Sequence, residues 1–445
     1  MRRSSLDLDI FLGLEFYALE KDGIGGSIRR SLEDFVVKEI GVDGLLASPE
    51  CDQYVSSEEG YWWAVLEKRG IDTVTALRIV ARWFSLGRNR VSVAGLKDTR
   101  AVTFQYISFL DEINQSLIEG FNAKYSRIRL HCLFRRPFYL RPGMLYGNFF
   151  SIIIRDVENP ENLVSLVEEL KEKVGVPNYY GYQRFGTIRP NTHIVGKLII
   201  QRKYKEAVME MLLRIFPEEK GKAVEARRYL NDTWDIKGAL EMFPKTLHHE
   251  RHVLRYLLTH PEDYYGAIRS LPLYIRRLFI GAYQAYLFNK ILSRRIEKDL
   301  SYVYAYPGDV VGIYSDDKSS EPKGLLRVND VLVDKVNKLI REDKAALLLP
   351  IVGYRSQLSR GVQGEIEREV LKEEGVDLGD FYLKEMPEIS SSGTFRRACM
   401  IPKNLTHTFI DNKTLRMEFS LRKGMYATVL LREFIKPKDL IGQGF

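Results

Sequence analysis

The amino-acid sequence predicts an α+β fold with a mixed β-sheet, and three observations lead to this prediction. Up to about residue 192, short apolar runs with strand periodicity alternate with amphipathic helices. From there to about residue 300 the chain reads as consecutive amphipathic helices. Strand-like segments return beyond residue 300. A helical block of this size between two α+β flanks predicts an inserted domain.

The first strands and the first long helix follow from periodicity and capping. Residues 35–40, FVVKEI, and 61–69, YWWAVLEKR, have strand composition, and the second places alternate residues on one face. Either Asp72 or Thr73 can cap the helix that follows. Its apolar residues recur on one side, and Gly87 is its predicted stop.

The middle of the first flank repeats the alternation. The stretch SVAGLKDTRAVTFQY (92–106) is predicted as strand, loop, strand, and NFFSIIIRDV as a further strand. A helix then follows in NPENLVSLVEELKEKVGVPN. Its apolar residues stand at helical spacing, at Leu163, Val167, Leu170 and Val174.

The remaining elements complete the pattern. KEAVMEMLLRIF, RHVLRYLLTH and a long segment with Pro272 in its first turn are predicted helices. YVYAYPGDVVGIY and LLLPIVGY have strand composition. The tail TLRMEFSLRKGMYATVLLREFI is either two strands or a strand and a helix, joined at Lys423–Gly424.

Length and hydropathy set limits on the class of protein. A chain of 445 residues suggests two to three domains. The longest apolar stretches are far shorter than the ~20 residues that cross a bilayer. Asp7 and Asp9 interrupt the N-terminal segment, which therefore lacks the apolar centre of a signal peptide. We expect a soluble cytoplasmic protein without a membrane partner. The oligomeric state is open, and a monomer is compatible with the sequence.

Cysteines and glycines give no sign of a metal or a cofactor. Cys51, Cys132 and Cys399 are isolated, without CxxC spacing, so no disulfide framework is predicted. The segment DGIGGSIRR lacks the last glycine of a dinucleotide loop. His248 and His252 have metal-ligand spacing but no third ligand, and a solvated helix face explains them more simply. No metal and no cofactor are expected.

The charge distribution favours a nucleic-acid partner. The net charge is +8 and the pI is near 9.1. Basic doublets recur beside aromatic residues, as in FRRPFYLRP, YYGYQRFG and GTFRRA. Cations neutralise phosphates and rings stack on exposed bases. Lysine and arginine on the wet faces of helices are the competing explanation.

Two segments concentrate the candidate functional residues. In GLKDTR, Asp98 lies beside Lys97 and Arg100. This is either a solvated turn with a local ion pair or a carboxylate held for chemistry. The second segment, GVPNYYGYQRFG (175–186), is either a loop whose aromatic residues fill a core or a pocket for a base.

The co-occurrence of these segments favours the functional interpretation. AGLKDTRAVTFQ together with NYYGYQRFG resembles the TruD family of tRNA pseudouridine synthases. The resemblance covers nearly the whole chain in family order, through GGSIRRSLEDFVVKEI, LYGNFFSIIIR, GAYQAYLFNKILSRR, GTFRRA and FSLRKGMYATVLLRE. Leu32, Tyr180 and Met425 depart from the usual family residues, which affects substrate choice more than reaction type.

The resemblance implies a reaction, a partner and a fold. The reaction is isomerisation of uridine to pseudouridine in tRNA, often at position 13, without a cofactor. The fold is a pseudouridine-synthase catalytic core with a mixed sheet, interrupted by the family's TRUD insertion domain. We place the core at residues 1–195 and 398–445 and the insertion at 196–397. A non-catalytic RNA-binding protein on the same fold is the alternative.

The resemblance and the residue chemistry also assign roles. Asp98 matches the catalytic aspartate and acts as nucleophile or base. Four residues are expected in the pocket for the substrate base: Asn178, Tyr180, Phe185 and Arg29. Three cations are expected to bind RNA: Lys97, Arg100 and Arg184.

Overall fold

The structure is a computed structural model that describes residues 1–87, 89–314 and 321–445. The chain divides into two compact units. The unit named here the helical unit comprises Met1–Ala18, Pro177–Gly312 and Leu325–Cys399. The unit named here the sheet unit comprises Leu19–Val176, Ile313–Gly324 and Met400–Phe445.

The strands of the described residues are numbered in chain order. They are β1 (Arg2–Arg3), β2 (Phe16–Tyr17), β3 (Phe35–Ile40), β4 (Tyr61–Arg69), β5 (Val91–Val93), β6 (Val102–Phe109), β7 (Ile128–Arg136), β8 (Gly147–Ile154), β9 (Val176–Pro177), β10 (Val310–Ile313), β11 (Gly324–Arg327), β12 (Ala345–Ile351), β13 (Thr394–Arg397), β14 (Cys399–Met400), β15 (Lys403–Asp411) and β16 (Thr414–Arg422).

The α-helices of the same residues are numbered in the same way. They are α1 (Asp7–Phe11), α2 (Thr73–Trp83), α3 (Gln115–Lys124), α4 (Asn162–Glu172), α5 (Thr192–Ile200), α6 (Tyr204–Leu213), α7 (Lys222–Thr233), α8 (Ile236–Met242), α9 (His248–Thr259), α10 (Tyr264–Ser270), α11 (Leu273–Glu297), α12 (Val333–Arg341), α13 (Gly361–Glu374) and α14 (Ala427–Ile435).

The sheet unit is built on one large mixed sheet. Its strand order is β15-β16-β8-β3-β6-β4-β7, with β5 paired to β6. Strands β3 and β6 run parallel, whereas β3 pairs with β8 and β4 with β6 in antiparallel register. The predicted α+β class with a mixed sheet is therefore confirmed. Strands from both ends of the chain meet in this sheet.

The predicted elements of the first flank are confirmed in type. FVVKEI forms β3, YWWAVLEKR forms β4, and the GLKDTR segment connects β5 to β6. Asp72, rather than Thr73, caps α2, because its carboxylate accepts a hydrogen bond from the backbone N–H of Thr75. The helix ends at Trp83, one turn before the predicted stop.

A long buried helix organises the helical unit. Helix α11 contacts α5, α13 and β12, and buried side chains occur along its whole length. Gly196 of α5 permits the close approach, since a Cβ there would collide with the backbone carbonyl of Phe279. Pro272 occupies the N-cap of α11, next to the predicted first-turn position.

The C-terminal tail resolves the alternative that the sequence left open. It forms a strand followed by a helix, β16 and α14, rather than two strands. Most of α14 is buried, which explains why its pattern resembled a central strand.

The expectation that all three cysteines are isolated is wrong. Cys51 and Cys132 form a disulfide, with their Cα atoms 5.0 Å apart. The ring of Tyr54 stacks on Phe134 of β7 at 4.7 Å and brings the segment that carries Cys51 against that strand. Because the pairing arises from tertiary packing across 81 residues, spacing in the sequence gives no sign of it.

Within the described ranges, the helices are too short or too polar to cross a bilayer.

We expect the disulfide to stabilise the protein by about 4 kcal/mol, because it closes a long loop and restricts the unfolded chain. Urea unfolding of a Cys51→Ser/Cys132→Ser variant measures the loss. The wild type in reductant should show the same loss, whereas the variant should not respond to reductant. An unchanged unfolding midpoint of the wild type in reductant would contradict the expectation.

Candidate active site

The loop between β5 and β6 is held by polar side chains buried beneath it. The side chain of Gln105 donates to the carbonyl of Gly95 at 3.0 Å, and the N–H of Lys97 donates to the hydroxyl of Thr73 at 3.1 Å. Both Gln105 and Thr73 are buried, and the Thr73 hydroxyl lies 3.4 Å from the Gln105 carbonyl oxygen. The loop therefore has a fixed backbone, although its tip is exposed.

A buried ammonium group also contacts this loop. Lys68 of β4 has no exposed surface, and its Nζ donates to the carbonyls of Lys97 at 3.2 Å and Asp98 at 2.5 Å. Burial lowers the pKa of Lys68 to about 8, although the charges of Asp98 and Asp72 favour the protonated form.

Asp98 is partly exposed and lies beside a buried cation. About 34% of its side chain is accessible, and its Oδ2 is 3.8 Å from Nη2 of Arg29. The guanidinium of Arg29 packs over the ring of Phe35 at 4.1 Å and donates to the carbonyl of Gly444 at 3.0 Å. Burial lowers the pKa of Arg29 and the charge of Asp98 opposes that effect.

The backbone of Arg29 is unusual. Its φ is +58°, in the left-handed region that non-glycine residues rarely adopt. Such a conformation persists only where surrounding contacts determine it. Here the contacts with Phe35 and Gly444 fix the side chain against Asp98.

The two other cations of the GLKDTR segment differ from each other. Lys97, expected to bind RNA, points into the sheet unit: its side chain is 5% exposed, and its Nζ lies 2.7 Å from Glu39 Oε2. It also donates to Asn148 Oδ1 at 2.6 Å. The expectation that Lys97 binds RNA stays a prediction, and the burial and ion pairing of its ammonium group argue against it. Arg100 is exposed and remains available to phosphates.

Burial dominates the electrostatics of Glu39. Its side chain is fully enclosed at the centre of the sheet, and burial raises the pKa of its carboxyl group, whereas Lys97 acts in the opposite direction. If either Glu39 or Lys97 is replaced by a neutral residue, the other remains as a buried charge without its partner.

In the helical unit, hydrogen bonds connect residues 178–180, named here the NYY segment, to β13 and to the residue that follows it. The N–H of Asn178 donates to Ala398 O at 2.8 Å, and its side-chain amide donates to Arg397 O at 2.9 Å. Its Oδ1 accepts from Arg396 Nη2 at 2.8 Å. Asn178 is only 2% exposed. Its amide therefore shapes the loop rather than offering an open edge to a base.

Tyr180 keeps part of its surface open. Asn289 of α11 holds its backbone on both sides, accepting from Tyr180 N at 2.7 Å and donating to Tyr180 O at 3.1 Å. The ring packs edge-on against Phe288 at 5.6 Å. The guanidinium carbon of Arg396 lies 4.1 Å from the ring centroid, a cation–π geometry. The ring is thus oriented before any substrate binds.

The last two predicted residues of this segment have different positions. Phe185 has no exposed surface and packs edge-on against His193 at 5.4 Å. Its expected contact with a base stays a prediction, and this burial argues against it. The ring completes the core under the loop. Arg184 is half-buried, lies over Gly281, and its guanidinium carbon is 5.9 Å from the Tyr180 ring.

Sequence reasoning missed three residues that position these segments. In the sequence, Lys68 stands out only as part of a strand, and Arg396 only as part of a basic doublet. Asn289 is a fully buried amide of α11, a helix that also buries Gln284 and Ser293. Polar residues among the apolar ones of a buried helix are a detectable signal, since a buried amide requires hydrogen-bond partners.

The described residues contain no cluster of three or more side chains suited to binding a metal ion. His252, one of the histidines at metal-ligand spacing, contacts the hydroxyl of Ser270 at 3.1 Å.

Comparisons with known proteins agree over nearly the whole chain. The family model described as tRNA pseudouridine synthase D (TruD) matches residues 11–434. A protein of Methanosarcina mazei named "Probable tRNA pseudouridine synthase D" is 36% identical, covering 96% of this chain and 97% of its own. One of the same name from Pyrococcus furiosus is 37% identical, covering 94% and 98%.

A solved structure extends the agreement to three dimensions. The crystal structure of a protein named "Putative tRNA pseudouridine synthase D (TruD)", from Methanosarcina mazei, superposes with a TM-score of 0.78 at 36% identity, covering 96% of this chain and 97% of the other. The chain is therefore a pseudouridine synthase by class, which makes it an isomerase. It belongs to the TruD family of tRNA pseudouridine synthases.

We expect Lys97→Met to lower the free energy of unfolding by about 3–5 kcal/mol at neutral pH, because Glu39 would remain buried without its cation. The deficit should shrink as the pH falls, since the raised pKa of Glu39 lets the folded state take up a proton before the unfolded chain does.

Urea unfolding at several pH values measures this effect. The double variant Glu39→Gln/Lys97→Met, which has no buried charge, should recover most of the loss. An equal deficit at all pH values would contradict the assignment.

Proposed function

We propose that the protein converts a uridine of tRNA, at position 13, to pseudouridine, with Asp98 as its catalytic residue. The observation that carries this proposal is the position of Asp98. It is a partly exposed carboxylate on a clamped loop, 3.8 Å from a buried guanidinium. A reactive group held in one orientation avoids the entropic cost of finding it during the reaction. The substrate class and the position are the ones that the family resemblance implies.

The chemistry that we propose needs no redox step. The bond between N1 and C1′ breaks, the uracil turns, and a bond forms between C5 and C1′. C5 then loses its proton to solvent and N1 takes one up, so the product is an isomer of the substrate. Asp98 either attacks C1′ and later leaves, or removes a proton from C2′ to give a glycal. Both routes use the carboxylate form. No cofactor is part of the proposal, because atoms and electrons balance within the nucleotide.

We propose that Tyr180 supports the base and that cations bind the backbone of the RNA. An aromatic ring can stack on any base, and the Tyr180 ring is already oriented by Phe288 and Arg396. Arg100 is an exposed cation suited to phosphate. We propose that Arg29 supports Asp98, because its guanidinium lies 3.8 Å from that carboxylate and is held by Phe35 and the carbonyl of Gly444.

We keep the functional division of the chain as a proposal, with a core at residues 1–195 and 398–445 and a TRUD insertion domain at 196–397. The sheet unit supports it in part, since strands β3–β8 and β15–β16 come from both ends of the chain, whereas residues 1–18 and 177–195 belong to the helical unit. As an enzyme of tRNA, the protein would act in the cytoplasm.

We expect Asp98→Asn to abolish the reaction, because an amide neither attacks C1′ nor accepts the C2′ proton. The measurement is tritium release from tRNA transcripts labelled at uracil C5. Asp111→Asn, a surface aspartate paired with Arg90, is the matched control and should remain active.

Affinity for tRNA should stay within a few-fold of the wild type in both variants. A transcript with cytidine at position 13 tests the position. Full activity of Asp98→Asn would refute the assignment. Binding of tRNA without release by the wild type would favour a non-catalytic RNA-binding protein.

We expect Tyr180→Phe to retain activity and Tyr180→Leu to lower kcat by about ten- to hundred-fold, the size of one lost base-stacking contact. Single-turnover rates at saturating enzyme separate this effect from binding. Equal rates for the phenylalanine and leucine variants would show that the ring does not support the base.

A further inference from the structure

We propose that Lys68 is a positioning residue for the reaction of Asp98: its buried ammonium group fixes the two peptide groups that flank the Cα of Asp98. This inference rests on the proposed function, since it concerns the same reaction. Lys68 is not a catalytic residue, because its hydrogen bonds are to the backbone of the loop.

The geometry supports this role. The carbonyl of Lys97 belongs to the peptide group before the Cα of Asp98, and the carbonyl of Asp98 belongs to the one after it. Nζ of Lys68 donates to both, at 3.2 and 2.5 Å. Fixing both peptide planes fixes the direction in which the Asp98 side chain leaves the backbone. The ammonium group of Lys68 therefore holds the backbone on both sides of the Asp98 Cα.

Stability alone does not explain this lysine. An ammonium group without exposed surface has lost its hydration, and such burial is costly even when a carboxylate compensates it. The two hydrogen-bond acceptors of Lys68 described above are neutral carbonyls. A methionine at this position of β4 would fill similar volume without that cost. Because burying this charge is costly, its presence indicates that the loop requires an ammonium donor at this position.

The charge of Lys68 depends on the groups that face it. Asp98 on the loop and Asp72 at the start of α2 favour its protonated form, and Lys97 opposes it. Burial outweighs these effects and brings the pKa to about 8. Below that pH the ammonium form makes charge-assisted hydrogen bonds, which are about twice as strong as neutral ones. Above it the amine is neutral, and the loop is held less firmly.

The experiment is the pH dependence of single-turnover tritium release between pH 6 and 9.5. It compares the wild type, Lys68→Met and Lys68→Arg. The wild-type rate should fall above about pH 8. Lys68→Met should be slower by about a hundred-fold at pH 7, the cost of a misplaced group, and should show no decline above pH 8. Its affinity for tRNA should change by less than about three-fold, because Lys68 has no surface to offer RNA.

Lys68→Arg supplies the rescue by the conservative variant. Arginine keeps its charge throughout this range, so the rate should exceed that of Lys68→Met and stay level above pH 8. Lys38→Met is the matched control, because Lys38 is a half-buried lysine of β3 whose ammonium group lies 5.8 Å from the Phe104 ring centroid. It should keep the wild-type rate and pH profile.

Three results would overturn the inference: a Lys68→Met rate equal to the wild type, a decline above pH 8 that persists in Lys68→Met, or a wild-type rate that stays level to pH 9.5. The last of these needs no variant, so it decides the matter even if Lys68→Met does not fold. A wild type that releases no tritium at any pH would instead refute the proposed function.

Discussion

A buried ion pair seats the aspartate loop on the sheet. Lys97 turns away from solvent and places its ammonium group between Glu39 of β3 and Asn148 of β8. Neither charge can be removed alone without leaving the other buried and uncompensated. The neighbouring residue, Asp98, keeps 34% of its side chain accessible. The buried pair thus helps to hold the loop that carries the candidate catalytic carboxylate.

In the helical unit, a buried amide and a guanidinium group likewise hold the candidate residues. A buried amide, Asn289, satisfies both backbone groups of Tyr180, and the guanidinium of Arg396 binds Asn178 and faces the Tyr180 ring. Loops carry most functional residues but are intrinsically mobile. Buried polar side chains that bind loop backbone reduce that mobility, because breaking such a bond would leave a buried polar group unsatisfied.

The two candidate segments thus contain both buried supporting residues and accessible residues. Of the residues that the sequence offered as contacts for RNA or base, Lys97, Asn178 and Phe185 are internal supports. Asp98, Arg100 and Tyr180 keep accessible surface. The sequence could not separate these groups, since supports and exposed residues are adjacent and share the same chemistry. Which side a loop residue faces depends on partners such as Glu39, which lies 58 positions before Lys97 in the chain.

The sequence by itself determined the fold class, most strands and helices, the family and the two segments that carry the candidate site. Periodicity and capping are local, and motif order survives without coordinates. Only the tertiary structure decided the disulfide, the outward direction of Asp98 and the contact of Lys68 with its two flanking carbonyls. These depend on burial, which removes water from charged and polar groups and forces each to find a partner distant in the chain.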